Sequence, residues 1–307
     1  MLDTIINLIL AGIMMPVPGA ILPPQNLLSA VNNLLPVAEQ RLVPQRDFST
    51  LSQGVKVAAR SYAVIEPGSN KVLCESNADD LRPIASITKL MTALVFLDTS
   101  PDLSREVSID AKDQRAGGIT YLIPGETFKL RDVFFAALIA SSNEGAAALS
   151  RLSGLPEADF VARMNKKAAE LGMTATKFVD PTGLNNDNKS TAGDILKLAQ
   201  AAFAKTEIKD AVSREEYELS VINKKIKRKI KTTDRVLGDD FGVGNNSYFI
   251  KGGKTGYLES AGYCFVSEIL DSAGRRILVA VLGSPTINDR FQDTKSLAYW
   301  VFNNFKW

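Results

Sequence analysis

Along this chain the spacing of apolar and polar positions changes several times, and each change marks an element. Residues 61–66 and 71–75 read as strands, joined by the turn signal Pro67-Gly68-Ser69-Asn70. After Pro83 the spacing becomes helical, with Ile87, Leu90, Met91, Leu94 and Val95 three or four apart. Further helices are predicted over 131–140, 144–152, 156–171 and 192–204. The third of these carries Phe160, Met164, Ala168 and Leu171 on one face, and the fourth carries Ile195, Leu198, Ala199 and Ala202. A break at Ser141-Ser142-Asn143 separates the first two. Residues 105–110 read as a short strand, 122–127 and 182–188 as loops. Strand character returns after Tyr217: residues 250–255 pair with 261–267, and 267–269 pair with 276–282 around Asp271-Ser272-Ala273-Gly274. A helix from about Arg290 to Phe305 closes the chain. There is no internal repeat. Strands, a helical middle, strands and a final helix predict an α/β (α+β) fold, with one antiparallel sheet built from both chain ends and the helical segment inserted between them.

The N-terminus has a different texture. Residues 5–17 are apolar apart from Asn7, and Pro16, Pro18, Gly19 and Ala20 close the run. That is the layout of a secretory signal, and it is short for a membrane span. The usual basic leader is missing, since Asp3 precedes the run and the first basic residue is Arg41. The expected organisation is an export signal or N-terminal anchor over 1–22 and a Pro-, Gln- and Asn-rich linker over 23–55, with a short helix at 30–38. One folded domain follows over 56–307. The competing reading makes the apolar run a buried or interfacial segment of a cytoplasmic protein.

Composition narrows the chemistry. The chain has 307 residues, 45% of them hydrophobic, enough to bury a substantial core. A net charge of +2 with 23% charged residues excludes a chain that is basic throughout, as a dedicated nucleic-acid binder would be. No histidine is present, so neither a Ser-His-Asp triad nor a histidine-bearing zinc site can form. Cys74 and Cys264 are too few for a cysteine-only metal centre. No metal or cofactor is expected. Both cysteines fall in strand-like runs and read as separate buried thiols, with a disulfide left open.

Three short motifs carry candidate chemistry. Ser86 is the one serine with a lysine three residues on, which brings the Lys89 amine to the side of the Ser86 hydroxyl. Without histidine, a serine nucleophile needs a lysine, carboxylate or tyrosine as base. Alone the pattern is weak, since about one such match is expected by chance in a chain this long. Ser141-Ser142-Asn143 is either a helix end with an asparagine cap, or a hydroxyl that relays a proton beside an amide that orients a lysine. Lys254-Thr255-Gly256 follows two glycines, yet a phosphate loop would need glycine at position 248, which is Tyr. A strand edge fits better, with Gly256 leaving room for a close backbone approach.

In this order the three resemble the Ser-x-x-Lys, Ser-x-Asn and Lys-Thr-Gly set of penicillin-binding proteins and serine β-lactamases. The chain resembles the low-molecular-weight penicillin-binding proteins, specifically the D-alanyl-D-alanine carboxypeptidases of peptidase family S11. The likeness extends through Pro83-Ile84-Ala85-Ser86, Phe160-Val161-Ala162-Arg163-Met164-Asn165, Leu171-Gly172-Met173-Thr174-Ala175-Thr176, Pro181-Thr182-Gly183-Leu184, Ser190-Thr191-Ala192 and Ala261-Gly262-Tyr263. It covers about residues 56 to 305, that family's whole catalytic domain.

The resemblance implies the penicillin-binding/serine β-lactamase-like transpeptidase fold and a serine D,D-carboxypeptidase that removes the terminal D-alanine of peptidoglycan stem peptides. Ser86 would form the acyl-enzyme and Lys89 would take its proton. Ser141 would pass that proton on, with Asn143 holding Lys89 and the substrate. Lys254 and Thr255 would bind the substrate carboxylate beside Gly256, and the backbone N–H groups of Ser86 and Tyr257 would hold the oxyanion. Lys89 can act only if its pKa falls by about 3 from ~10.4, roughly 4–5 kcal/mol, through burial and a like charge for which Lys254 is the candidate. β-Lactams are the expected inhibitors, the cell surface or periplasm the expected location, and the N-terminus the expected source of any membrane tether. Class A β-lactamases deacylate through a glutamate in the loop corresponding to 178–188. Here that loop holds Asp180 and Asp187 and no glutamate, so penicillin should be trapped rather than turned over. The basic run 224–231 reads as a solvated hairpin, or alternatively as a contact for anionic lipid or wall polymer. Two departures stand out: Leu258 where the family often has threonine, and Thr232-Thr233-Asp234 where an asparagine-rich segment is common. The rival functions are a D,D-endopeptidase cutting cross-links and a non-catalytic penicillin-binding sensor.

Overall fold

The computed structural model describes residues 43–243 and 246–307. The expected signal or anchor over 1–22, the 30–38 helix and most of the 23–55 linker lie outside them. The described chain opens its main sheet with β1 (Ser61–Glu66) and β2 (Lys71–Ser76), and a single 3-10 turn (Ala85–Ile87) leads into α1 (Thr88–Leu97). The helical segment continues with α2 (Leu130–Leu138), α3 (Asn143–Leu152), α4 (Glu157–Glu170), α5 (Ala192–Phe203) and α6 (Thr206–Val212). A hairpin of β3 (Glu216–Val221) and β4 (Ile226–Lys231) follows. The chain then returns through β5 (Tyr248–Leu258), β6 (Gly262–Asp271) and β7 (Arg276–Ser284) to α7 (Ile287–Asn304).

The five long strands form one antiparallel sheet in the order β5-β6-β7-β1-β2. Pairs such as Ala280 with Ala63 and Leu278 with Ile65 join the two chain ends, as the element order predicts. Alternate side chains of a strand face opposite ways, so each strand serves two cores. Ala63, Ile65, Leu278 and Ala280 meet the helices, where Ile87, Leu90, Met91 and Leu94 of the α1 segment are buried. Val64, Phe265, Val279 and Val281 meet α7 through Leu297, Val301 and Phe302. Each of the Val, Ile, Leu, Met and Phe side chains among these, fully buried, contributes about 1.5–3 kcal/mol. The α2–α3 contact explains the small residues of the second helix. A Cβ on Gly145 would lie 3.1 Å from both the Val133 carbonyl oxygen and the Ala137 nitrogen, so these helices approach at backbone distance.

Several bounds differ from the sequence expectation. β5 starts two residues earlier and runs three further, because it stays paired with β6 from Tyr248 to Leu258 around a bulge after Ile250. The two predicted pieces 261–267 and 267–269 are one strand. Within the segment read as linker, Gln45 and Arg46 pair with Lys306 and Phe305, and Arg46 donates to the Asn304 carbonyl at 2.8 Å. The Ala58 and Ala59 N–H groups both donate to Asp293 on α7 at 2.8 Å. Cys74 and Cys264 are free thiols on β2 and β6, Cys264 fully buried and Cys74 half-buried. Among the described residues no helix is long and apolar enough to cross a membrane.

The basic run forms β4 and the turn before it. Lys227 and Lys229 pair with Glu218 and Glu216 across the hairpin. Lys224 and Arg228 grip the buried carboxylate of Glu126 at 3.1 and 2.7 Å, and Arg228 also donates to the Tyr121 carbonyl. Much of this charge is spent inside the protein, tying the hairpin to the 121–126 loop.

Candidate active site

Sequence places Ser86 at the start of a buried helix; the fold sets it on the 3-10 turn just before α1, and two glycines fix that turn. Ala85 is held at φ 47°, a conformation unfavourable for a residue with a Cβ. A Cβ on Gly183 would fall 2.0 Å from the Ala85 carbonyl oxygen. One on Gly256 would fall 2.7 Å from the Ile84 oxygen and 3.3 Å from the Ser86 nitrogen. The room expected at Gly256 for a substrate backbone is therefore taken by the protein's own Ile84–Ser86 backbone. Strand β5 and the 182–188 loop clamp the nucleophile between them.

Lys89, the second residue of α1 and three residues after Ser86, is 1% exposed. Its Nζ lies 2.7 Å from Ser86 Oγ, 2.8 Å from Asn143 Oδ1 and 2.6 Å from the Thr182 carbonyl oxygen. The two carbonyl oxygens can only accept, so each takes an N–H. A neutral amine has two protons and one lone pair, and the remaining direction points at the Ser86 hydroxyl. Burial brings the Lys89 pKa from 10.5 down to about 7, against the opposing pull of Asp180 and Glu144. Lys254 is the neighbouring amine, and the repulsion between the two is mutual, so the pair resists carrying two protons. Burial, Lys89 and Arg290 hold Lys254 well below its ordinary range, with Asp234 opposing.

The second motif sits where α2 gives way to α3. Ser141 has φ 58°, and its Oγ accepts from Lys254 Nζ at 2.8 Å. Asn143 opens α3 and bridges two elements, its Oδ1 taking the Lys89 amine and its Nδ2 donating to the Gly117 carbonyl at 2.9 Å. On β5, Lys254 is buried beneath the site, and Thr255 Oγ1 bonds Thr233 Oγ1. Tyr257 is half exposed and stacks on Tyr263 with ring centres 4.3 Å apart. Ser86, Ser141, Asn143, Thr255, Gly256 and Tyr257 all line one open cleft of about 670 Å³, with Lys89 and Lys254 below its floor. All eight predicted site residues are thus brought together.

Other contributors carry no local signal of their role. Thr182 supplies a backbone oxygen, which any residue could supply. Arg290 lies in α7, 4% exposed, and donates to the Gly256 carbonyl at 3.2 Å, bracing the Lys-Thr-Gly strand where it lines the cleft. Asp234 is buried nearby, and in the sequence it stands out only as a departure from the family pattern. Asp180 organises its loop, accepting from the N–H groups of Thr182, Gly183 and Asn185, the Thr182 hydroxyl and the Asn188 amide.

The chain is also similar to known proteins. Residues 48–286 match the family model described as D-alanyl-D-alanine carboxypeptidase, peptidase S11. The chain is 34% identical over 211 residues to a D-alanyl-D-alanine endopeptidase of Haemophilus influenzae, covering 68% of this chain and 69% of that one. It is similar to the crystal structure of a D-alanyl-D-alanine carboxypeptidase from Mycobacterium tuberculosis, at TM-score 0.72 and 28% identity over 86% of this chain and 96% of that one. It also resembles penicillin-binding protein D2 of Listeria monocytogenes in its cefotaxime-bound form, at TM-score 0.69 and 30% identity over 82% of this chain and all of that one.

Proposed function

Because the chain belongs to the S11 peptidase family, the D-alanyl-D-alanine carboxypeptidases, and is a serine peptidase of the D,D class, we propose that it removes the terminal D-alanine from peptidoglycan stem peptides through an acyl-enzyme on Ser86. The observation that carries this reading is the buried Lys89 amine 2.7 Å from Ser86 Oγ, with both its other directions occupied by carbonyl oxygens.

The steps follow from the charges. A substrate carboxylate docked at Lys254 and Thr255 stabilises a proton on Lys254, and the repulsion between the two amines then favours the neutral form of Lys89. Lys89 takes the Ser86 proton as Oγ bonds to the carbonyl carbon between the two D-alanines. The resulting oxyanion is received by the Ser86 and Tyr257 N–H groups. The proton returns through Ser141 to the departing nitrogen, the C–N bond breaks, and D-alanine leaves. Water then cleaves the ester and restores the Ser86 hydroxyl. β-Lactams enter by the same attack and act as inhibitors.

A second reading, cleavage of D,D cross-links, is favoured by the relative named an endopeptidase and by the open cleft, whose rim also carries Lys231 and Arg235. There too the scissile amide neighbours a free carboxylate. Purified protein is incubated with a stem pentapeptide and with cross-linked muropeptide dimers, and the products are followed by mass. Free D-alanine from the pentapeptide supports the first reading; monomers from dimers with the pentapeptide intact support the second. Penicillin uptake with no product from either would leave only a sensor. Export accompanies both enzymatic readings, since the substrate is wall material, and the apolar run over 5–17 supports it. Cell fractionation with and without residues 1–22 tests this.

A further inference from the structure

Asp234 lies between β4 and β5, next to Thr233, whose Oγ1 bonds Thr255 Oγ1 beside Lys254 on β5. Thr233 and Arg235 on either side of it line the cleft, while the Asp234 side chain is 3% exposed. One of its carboxylate oxygens accepts the Val236 N–H at 3.0 Å; the other, Oδ2, is buried without a donor. Arg290 shows the mirror image. Its Nη1 donates to the Gly256 and Cys264 carbonyls, and its Nε is buried without an acceptor. The charges that reach Asp234 are Arg290 from α7, Lys254 from β5 and, opposing them, Asp239, which pairs with Lys295. Those that reach Lys254 are Lys89 from α1, Arg290 and Asp234. Lys89, Lys254, Arg290 and Asp234 therefore form one cluster of basic and acidic side chains at the cleft.

We propose that Asp234 is a positioning residue that acts through Lys254, its charge keeping the buried amine protonated as the anchor for a substrate carboxylate. The inference rests on the reading of Lys254 as that anchor. Burial, Lys89 and Arg290 all act to strip the Lys254 proton, and a neutral amine makes a far weaker partner for a carboxylate. Asp234 is the one anion among the charges that reach Lys254, and its side chain is buried outside the cleft lining. It can therefore charge the anchor without competing for it. An asparagine would fill the same space and supply no charge.

The test is the pH dependence of KM and kcat for D-alanine release (or dimer cleavage) from pH 5.5 to 10, in the full chain and in Asp234→Asn and Asp234→Glu. In Asp234→Asn the alkaline rise of KM is expected to move acidward by ~1 pH unit or more, with KM up by about tenfold at pH 8 and kcat changed by less than about threefold. Asp234→Glu restores the wild-type position. A substrate with its terminal carboxylate amidated shows no difference between the variants. A uniform loss of kcat at every pH, an unmoved KM limb, or an equal effect on the amidated substrate overturns the proposal. If Asp234→Asn does not fold, Asp234→Ser carries the same comparison. Wild-type protein that neither releases product nor takes up penicillin would instead refute the underlying reading.

Discussion

Lys89 has room for three contacts and, when neutral, two protons to give, and the geometry leaves its lone pair facing Ser86. The spacing of the two residues was readable in the sequence because one helical turn is local. What lowers the lysine's proton affinity was not, since burial is a property of the assembled core. Asp234 shows the same limit: its departure from an asparagine-rich pattern was visible, its neighbours were not. Burial raises its pKa from 3.8 to about 6, so the unfolded chain ionises first. Folding stability then falls as pH rises from about 4 to about 6, by ~3 kcal/mol in full, and stays reduced above that. Asp234→Asn is accordingly expected to be more stable than wild type by up to ~3 kcal/mol at pH 7.5, with no advantage below pH 4. Urea unfolding at the two pH values checks this. A carboxylate kept where it costs stability is what a working charge would look like.

At the scale of elements, the nucleophile is set by three separate pieces of chain. The 3-10 turn holds Ala85 at positive φ, the 182–188 loop closes on it through Gly183, and β5 closes from the other side through Gly256. Helices and strands were legible because each carries its own apolar period. Their meeting at Ile84–Ser86 was not, because a glycine in the sequence does not say what approaches it. Gly256→Ala sets a methyl 2.7 Å from the Ile84 oxygen and 3.3 Å from the Ser86 nitrogen. The turn must shift, and with it the N–H that receives the oxyanion. The expected result is a loss of acylation by penicillin of about 100-fold with the fold retained, measured by stopped-flow and circular dichroism. Wild-type rates in that variant would show that the Ser86 N–H is not placed by this contact.

For the whole molecule, both chain ends build one sheet and the insert builds half of the cleft, an arrangement legible from the order of elements alone. The docking of residues 43–59 on α7 was not, because this segment carries no clean apolar period and the contacts run through single side chains such as Arg46 and Asp293. The assembled site also bears on how acylation ends. Asp180 is occupied by five donors of its own loop, and Asp187 is exposed and paired with Lys189 at 3.3 Å. Neither is free to activate water. A penicillin adduct should therefore persist on Ser86 for at least tens of minutes, seen as a mass increase on the Ser86 peptide and absent in Ser86→Ala. Rapid loss of the adduct would require a base in another place.

The account as a whole depends on Lys89 being the base, and the pH dependence of Ser86 acylation tests that most directly. The second-order rate constant for penicillin attachment should rise about tenfold per pH unit up to about pH 7 and then level off, as the Lys89 amine loses its proton. Lys89→Arg, which cannot give up its proton, should lose the reaction at every pH. A rate constant flat from pH 5 to 9, or an arginine variant that still acylates, would contradict it.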